Sequence, residues 1–485
     1  MSAPSASEST SPADALPVGA LVCPEPDQRP DLWPWTVMRR ENGALELGGC
    51  ALPEFAEEYG TPIFVMDRAD LRGRANVWAT AMAEEFWDGY GMAGGDAFYA
   101  GKAFLCADVI RTVSECGMGI DTASLGELTL ALRAGAEPRM VGLHGNNKTD
   151  VEVETALNAL NAAGERTGIA RIFLDSPWEV TQVESIAARL GVVAPVMVRV
   201  KTGIHAGGNE YIATSHEDQK FGVSVAGGEA IAVAEAVLAS EHLELRGFHN
   251  HIGSQINGTE AFEAAARIVM DLRAELAERT GVCVPEIDLG GGVGIAYTGA
   301  DPEPTSPVVV ARALATIVRE ESGAAGLPVP HVSVEPGRSI IGPTMVTLYR
   351  VGAIKDVIID EGGTQRRYVS IDGGMSDNIR PALYGAHYTA TVANRHVEGP
   401  LMRCRVVGKH CESGDIVVHD VDLPADLRAG DLLAVPATGA YGRSMASNYN
   451  LLTRPGVLVV EEGQAQWALR PETLEDIFAT DPCLR

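Results

Sequence analysis

Eight short apolar segments of the sequence each end in polar residues. Strands that serve only as barrel core would not be expected to end in this way. The first run ends in Lys102, the sixth in His249-Asn250-His251 and the eighth in Glu335-Pro336-Gly337-Arg338. In parallel barrels the carboxyl ends of the strands meet on one face, where active sites lie. Eight polar strand ends therefore predict a single polar site that does chemistry.

Several of these groups suit one flat, anionic cofactor. Lys102 ends an apolar run, and a lysine there can form a Schiff base. Gly290-Gly291-Gly292-Val293-Gly294 follows a strand, so its N–H groups can approach a phosphate, although a tight structural turn is the alternative. His251 can stack on a ring, and Ser254 can bind phosphate. Glu335 can hydrogen-bond a pyridine nitrogen and keep it protonated, unless it forms an ordinary buried ion pair with Arg338. Together these parts predict a site for pyridoxal 5′-phosphate (PLP).

The elements that must position these groups alternate regularly along the chain. Eight β-type runs separated by helical spacing of Leu, Ala and Val indicate an α/β fold, a parallel (β/α)8 barrel of the TIM type. An open doubly wound sheet is the alternative, but its G-x-G-x-x-G fingerprint is missing after the first run. The runs are Ala97–Ala103, Gly119–Ser124, Met140–Gly145, Arg171–Ser176, Val196–Lys201, Leu245–Gly253, Glu286–Gly291 and Val332–Arg338.

After the barrel, helical periodicity fades and β-rich runs punctuated by Gly, Pro and Asp follow, which predicts a separate β domain of sandwich or barrel type. We therefore divide the chain into a disordered leader over 1–32, a segment over 33–65 that joins the β domain, a PLP-binding barrel over 66–344 and the C-terminal β domain over 345–485. The leader assignment rests on Ser, Ala and Pro content. A Gly-rich stretch around His205 is a candidate mobile loop near the barrel mouth.

Composition and charge narrow the classes of function. The 485 residues carry 65 acidic and 38 basic side chains, a net charge of −27, which argues against nucleic-acid and anionic-membrane partners. We expect neither a transmembrane helix nor a secretory signal. Eight widely spaced cysteines without zinc spacing predict reduced thiols in a cytoplasmic protein and no metal site. Six of the basic residues are lysines, so a merely solvating role for Lys102 is less expected.

With these residues in hand, the sequence resembles the fold-type III PLP-dependent decarboxylases, and within them the diaminopimelate decarboxylase family of the actinobacterial type. The resemblance runs from about Trp33 to the C-terminus. Gly101 and Phe104 depart from the pattern, since many members have a bulkier residue and Asn there. The matching motifs are Tyr99-Ala-Gly-Lys102-Ala, His144-Gly-Asn-Asn-Lys148, His216-Glu-Asp-Gln-Lys-Phe-Gly222, His251-Ile-Gly-Ser-Gln255, Asp288-Leu-Gly-Gly-Gly292, Glu335-Pro-Gly-Arg338, Asp372-Gly-Gly-Met-Ser-Asp-Asn378, Gly408-Lys-His-Cys-Glu-Ser-Gly-Asp415 and Ala437-Thr-Gly-Ala-Tyr441.

The resemblance implies a role for each matched position. Cys411 and Glu412 would reach in from the partner subunit of a homodimer with shared active sites. The residues implied to act in catalysis are Lys102, His251, Glu335 and Cys411. The residues implied to bind the cofactor are Lys102, His251, Ser254, Gly291, Gly292, Glu335, Gly337, Arg338 and Tyr441. The residues implied to bind the substrate are Arg338, Arg380, Tyr384, Glu412 and Tyr441.

The reaction implied is decarboxylation of meso-2,6-diaminopimelate to L-lysine and CO2, the last step of lysine biosynthesis. A guanidinium fork fits a distal carboxylate bidentately, so Arg338 and Arg380 favour a dicarboxylic substrate. The alternative is an ornithine-, arginine- or carboxynorspermidine-type decarboxylase, which predicts an acidic residue at one of these positions. An amino-acid racemase and a non-catalytic PLP-binding protein are further alternatives. For Cys411, a small packed side chain is the alternative to a proton donor.

Overall fold

The computed structural model describes residues 16–204 and 219–484, which form a barrel and a separate mixed-sheet domain. The strands are β1 (Met38–Arg39), β2 (Leu45–Leu47), β3 (Cys50–Ala51), β4 (Ile63–Asp67), β5 (Gly95–Ala100), β6 (Gly119–Thr122), β7 (Val141–Leu143), β8 (Arg171–Leu174), β9 (Ala194–Lys201), β10 (Val223–Ser224), β11 (Leu243–Asn250), β12 (Glu286–Asp288), β13 (His331–Val334), β14 (Met345–Ile358), β15 (Gln365–Ile371), β16 (Thr391–Val392), β17 (Leu401–Val407), β18 (Ile416–Pro424), β19 (Leu432–Val435), β20 (Val457–Glu461) and β21 (Gln464–Leu469). The α-helices are α1 (Leu52–Glu58), α2 (Arg68–Glu85), α3 (Ala107–Glu115), α4 (Leu125–Ala134), α5 (Asp150–Leu157), α6 (Pro177–Leu190), α7 (Glu229–Leu238), α8 (Glu260–Thr280), α9 (Pro307–Ala325), α10 (Arg338–Ile341), α11 (Arg380–Tyr384) and α12 (Leu474–Phe478).

The barrel is a closed ring of eight parallel strands in the order β5, β6, β7, β8, β9, β11, β12, β13. The last strand returns to the first, with Val332 opposite Gly95 and Val334 opposite Ala97. These strands are short and mostly buried, and β8 is buried along its whole length, as expected where helices cover a parallel sheet. The predicted (β/α)8 barrel is confirmed, and closure excludes the open doubly wound sheet.

Some polar strand ends prove to be helix caps or buried pairs. The Ser124 hydroxyl accepts the N–H of Glu127 at 3.2 Å and starts α4, which ends at Gly135 with a φ of 96°. Lys148 donates to Glu179 at 2.9 Å, with both side chains buried. A polar strand end in this barrel therefore has either a structural or a chemical role. None of the helices in the described residues has the length and apolar content to span a membrane.

The second unit is a mixed sheet built from both ends of the chain. β4 lies before the barrel, yet it pairs with β14 and β20, so Val65 faces Val346 and Leu458. The strand order is β18-β17-β15-β14-β4-β20-β21, with β16 and β19 attached beside β14. This sheet has its own apolar core. The predicted fold class of a barrel plus a separate β domain is confirmed.

Residues 16–32 differ from the disordered leader predicted over 1–32. The side chains of Cys23 and Leu32 are buried in the core of the second unit. The N–H groups of Gly19 and Leu21 donate to the Asp422 carboxylate at 2.7 and 2.9 Å. A few apolar side chains and one buried carboxylate attach residues 16–32 to the second unit. Composition alone did not indicate this attachment. Residues 1–15 and the stretch around His205 lie outside the described residues.

Candidate active site

A cavity of about 140 Å³ opens at the carboxyl ends of the barrel strands, as the polar strand ends predicted. Of the described residues that line it, Lys102 is the one lysine. Lys102 follows β5 in a short turn, and its side chain is exposed. A Cβ at the preceding Gly101 would lie 2.7 Å from the Asp121 carbonyl, so a bulkier residue does not fit there. This close approach accounts for one departure from the family pattern.

Glu335 lies at the centre of the cavity wall, directly after β13. One of its carboxylate oxygens is 3.0 Å from Nε2 of His144 and 3.0 Å from Nε2 of His249. Within the described residues this oxygen has no aligned hydrogen bond, although the side chain is buried. His144 is also stacked on Phe173, with ring centres 3.7 Å apart. The buried carboxylate is therefore held between two imidazole rings, and this oxygen has no aligned hydrogen bond among the described residues.

The two histidines that flank Glu335 carry different charges. Burial opposes a charge on His144, but Glu335 and Asp121 outweigh it and raise its pKa to about 9. Burial lowers the pKa of His249 to about 3, so that ring is neutral. Burial would also raise the pKa of Glu335, yet His144 and then His249 hold it well below its usual value. Glu335 is thus an ionised carboxylate next to one imidazolium and one imidazole.

His251 presents a neutral ring to the same cavity. Its Nδ1 accepts the N–H of Gly291 at 3.2 Å, which fixes the ring at the Gly-rich turn. Burial, followed by the nearby charge of Lys102, holds the His251 pKa well below its usual value. At Gly291 a Cβ would lie 2.0 Å from the Glu335 carbonyl. The glycines therefore let this turn pack against the neighbouring strand, so at least part of their use is structural.

A second cluster contains the arginines predicted to bind substrate. Arg338 begins α10 and donates to the Ser254 hydroxyl at 2.8 Å, with its guanidinium 4.7 Å from the centre of the Tyr441 ring. Arg338 also donates to the Tyr297 hydroxyl. Arg380 begins α11 and lies 4.7 Å from the centre of the same Tyr297 ring. The structure therefore brings Arg338, Arg380, Ser254 and Tyr441 together, as the sequence predicted.

Cys411 and Glu412 are not part of this cavity in the same chain. Both are exposed in the turn between β17 and β18, and neither is among its described lining residues. The Asp415 carboxylate fixes that turn by accepting the N–H groups of His410 at 2.7 Å and Met375 at 2.6 Å. Tyr384, at the end of α11, is half-buried.

The residues present fit PLP. Glu335 offers a buried, ionised acceptor without an aligned partner in the described part of the chain, which suits a protonated ring nitrogen. The neutral ring of His251 suits the face of a flat aromatic group, and the exposed amine of Lys102 suits an aldehyde. Ser254 and Arg338 supply hydrogen-bond donors for a phosphate or carboxylate.

Several residues of the site escaped prediction. His144 and His249 are polar residues at the ends of predicted strands, which marked them as candidates. Nothing in the sequence showed that both contact Glu335. Tyr297 and Tyr388 had no signal, because they lie in loops outside the recognised motifs. Their rings pack edge to face, 5.1 Å apart, and both lie beside the Arg380 guanidinium. Loop residues of this kind can be recognised from their contacts in the three-dimensional structure.

Comparison with known proteins agrees with this geometry. The family described as pyridoxal-dependent decarboxylase, pyridoxal binding domain, matches residues 70–342. Diaminopimelate decarboxylase from Mycobacterium tuberculosis is 44% identical over 93% of this chain and 98% of its own length. The enzyme of that name from Corynebacterium efficiens is 46% identical over 93% of this chain and 94% of its own length.

A solved structure shows the same architecture. The crystal structure of diaminopimelate decarboxylase from M. jannaschii in complex with L-lysine has a TM-score of 0.83 and 29% identity. It covers 92% of this chain and 97% of the other. The match therefore extends over the barrel and the second unit alike. Together with the lysine, histidine, carboxylate and arginine geometry of the barrel mouth, these matches show that the chain belongs to the diaminopimelate decarboxylases, a family of pyridoxal-dependent decarboxylases.

Proposed function

We propose that this chain decarboxylates meso-2,6-diaminopimelate to L-lysine and CO2, the last step of lysine biosynthesis, with PLP bound at Lys102. The observation that carries the proposal is the pair Arg338 and Arg380, buried side chains that contact Tyr297 at one edge of the site. A guanidinium pair of this kind suits a substrate carboxylate. A decarboxylase for ornithine or arginine needs an acidic group for the far amine instead.

The residues around Glu335 would hold and tune the cofactor. Bound PLP supplies an electron sink for the electrons left behind when CO2 departs. Glu335 is ionised, and its carboxylate would keep a proton on the ring nitrogen. His251 is neutral, and its ring would lie against one face of the cofactor without adding a second positive charge beside the protonated nitrogen. Lys102 supplies the amine that anchors the cofactor.

The other end of the site would orient the substrate. Arg338, Arg380 and Tyr384 bind the carboxylate of the amino-acid centre that does not react. The centre that loses CO2 then lies towards Lys102. Ser254 and Tyr441, which contact Arg338, would bind the cofactor phosphate. Binding energy from the distal centre thus fixes the orientation of the reacting centre.

We propose further that the active enzyme is a cytoplasmic homodimer with shared sites. Cys411 and Glu412 are exposed and lie outside the cavity of their own chain, which supports a contribution to the site of a second copy. In that arrangement the Cys411 thiol delivers the proton that replaces CO2, and Glu412 binds the distal amino group. Eight free cysteines in the described residues agree with a reducing compartment.

A substrate panel tests the reaction. The purified, PLP-loaded protein is given meso-diaminopimelate, ornithine, arginine or alanine, and CO2 and the amine product are measured. We expect CO2 and L-lysine from meso-diaminopimelate alone. Faster release of CO2 from ornithine or arginine would support the alternative decarboxylases. Racemisation of alanine without CO2 release would support a racemase. No reaction with any of the four substrates would contradict a catalytic function.

Mixing two inactive variants tests the shared site. Lys102→Ala and Cys411→Ala each remove one group, and in a mixed dimer one of the two sites regains both. We expect the mixture to recover about a quarter of wild-type activity if the subunits assort randomly. A control mixture of Lys102→Ala with Glu335→Gln, which lie on the same chain's side of the site, stays inactive because neither site is complete. No recovery in the first mixture would contradict a Cys411 supplied by the partner.

A further inference from the structure

Two buried arginines lie side by side in the site without a carboxylate to balance them. Arg338 is 7% exposed and Arg380 is 6% exposed. Among the described residues no ion pair joins either arginine to Asp or Glu; the partners of Arg380 are the two tyrosines Tyr297 and Tyr388, and Nε of Arg338 has no hydrogen-bond partner. Burying two like charges together is costly unless other groups compensate. The compensating charge is expected from a ligand.

Two tyrosines, and no carboxylate, contact the two guanidinium groups in the described residues. The Tyr297 hydroxyl accepts from Arg338, while its ring lies under the Arg380 guanidinium at 4.7 Å. The Tyr388 hydroxyl accepts from Arg380. Tyr297 therefore contacts both arginines at once, and Tyr388 packs against it edge to face at 5.1 Å. A phenol oxygen at one guanidinium and a π-face at the other keep both cations in one place.

The charges around Tyr297 leave its phenol unusually acidic. Burial would raise its pKa, but Arg338 and Arg380 outweigh burial and lower it. The groups that face Tyr297 are Arg338 from α10, Arg380 from α11 and Tyr388 from the loop after α11. On its own loop, Asp301 accepts the Tyr297 backbone N–H at 2.8 Å and fixes the turn.

We propose that Tyr297 is a positioning residue for the substrate carboxylate: it holds the guanidinium groups of Arg338 and Arg380 together so that one carboxylate can bind both. This inference rests on the proposed function, which assigns that carboxylate to the two arginines. Without the phenol oxygen, Arg338 loses its link to Arg380 and mutual repulsion separates the two charges. The loss falls on carboxylate binding rather than on the chemical step.

The test compares Tyr297→Phe with Tyr349→Phe in the PLP-loaded enzyme. Phenylalanine keeps the ring under Arg380 and removes the hydroxyl. Tyr349 is an equally buried tyrosine whose hydroxyl has no hydrogen-bond partner in the described residues, so its loss is a matched control. We expect Tyr297→Phe to raise the KM for meso-diaminopimelate about tenfold, the loss typical of one hydrogen bond to a charged group. We expect kcat and PLP absorbance close to wild type, and Tyr349→Phe unchanged throughout.

Two inhibitors separate carboxylate binding from general damage. L-lysine keeps the carboxylate of the unreacted centre, whereas cadaverine, the corresponding diamine, has none. In Tyr297→Phe the inhibition constant of L-lysine should rise by the same factor as KM, while that of cadaverine stays constant. An equal rise for both inhibitors, or no rise for L-lysine, would overturn the proposal. Failure of the proposed function is distinct, since wild-type enzyme would then release no CO2 from meso-diaminopimelate.

Discussion

Two histidine–carboxylate contacts lie at the two ends of strand β13, and therefore at opposite ends of the barrel. At its start, His331 lies 2.8 Å from the Asp96 carboxylate, and its other ring nitrogen lies 3.1 Å from the Ala93 carbonyl. Just after its end, Glu335 lies 3.0 Å from His144. At the start of the strand both ring nitrogens have a partner and the pair is half-exposed. At the end Glu335 is buried and the His144 side chain is 12% exposed, and the carboxylate oxygen beside the histidine lacks an aligned hydrogen bond among the described residues.

The contrast shows that environment, rather than residue type, separates structural from chemical groups. A half-exposed pair is screened by water and contributes little to stability. A buried pair interacts strongly, and an unsatisfied acceptor there is costly unless a ligand uses it. The mouth of the barrel therefore has the features of a site prepared for a ligand, and the opposite end has those of an ordinary surface contact.

The largest effect should come from removing the amine at the mouth. Lys102→Ala deletes the nucleophile that anchors the cofactor, because no other lysine among the described lining residues can replace it. We expect loss of the visible absorbance of lysine-bound PLP and no detectable CO2 release. Thermal unfolding is the control, and its midpoint should change little, since the side chain is exposed. Residual turnover in this variant would contradict the assignment of Lys102.

The comparison predicts that two isosteric changes differ sharply. Glu335→Gln removes the charge that keeps the ring nitrogen protonated, and we expect kcat to fall about a hundredfold or more. Asp96→Asn makes the same change at the other end of the barrel and should leave kcat unchanged. Steady-state CO2 release from both variants decides the point. Similar losses in the two variants would remove the distinction between the two ends.

Much of the barrel could be predicted from the sequence, since apolar runs and helical spacing reflect local periodicity. The runs that end in Lys102 and Glu335 correspond to β5 and β13. The meeting of His144 and His249 at Glu335 could not be predicted, because it depends on which strands face each other across the closed ring. Strand β14 has no single alternation pattern that would mark it as one strand, because its first half is buried and its second half is largely exposed.

The acid limb of the pH profile probes the charge balance at the mouth. His144 has a pKa raised to about 9, so it is cationic at neutral pH and helps keep Glu335 ionised. In His144→Gln that cation is gone, and the Glu335 pKa should rise. We therefore expect about a tenfold lower kcat near pH 6 and a smaller loss near pH 8, with the acid limb shifted to higher pH. A pH-independent loss would point to packing against Phe173 instead.

The smallest effect is expected at the start of β13, from His331→Gln. The Asp96 hydrogen bond raises the His331 pKa above its unfolded value of about 6.5. A raised folded pKa gives stability that is complete below the unfolded pKa and is lost as pH rises through the folded pKa. The variant should therefore melt lower than wild type near pH 5.5 and match it near pH 9. Because the pair is half-exposed, the difference should be about 1 °C or less. If the difference in melting temperature persisted unchanged at pH 9, the His331 ring would stabilise the barrel by packing. The charge of His331 would then not distinguish this contact from the one at Glu335.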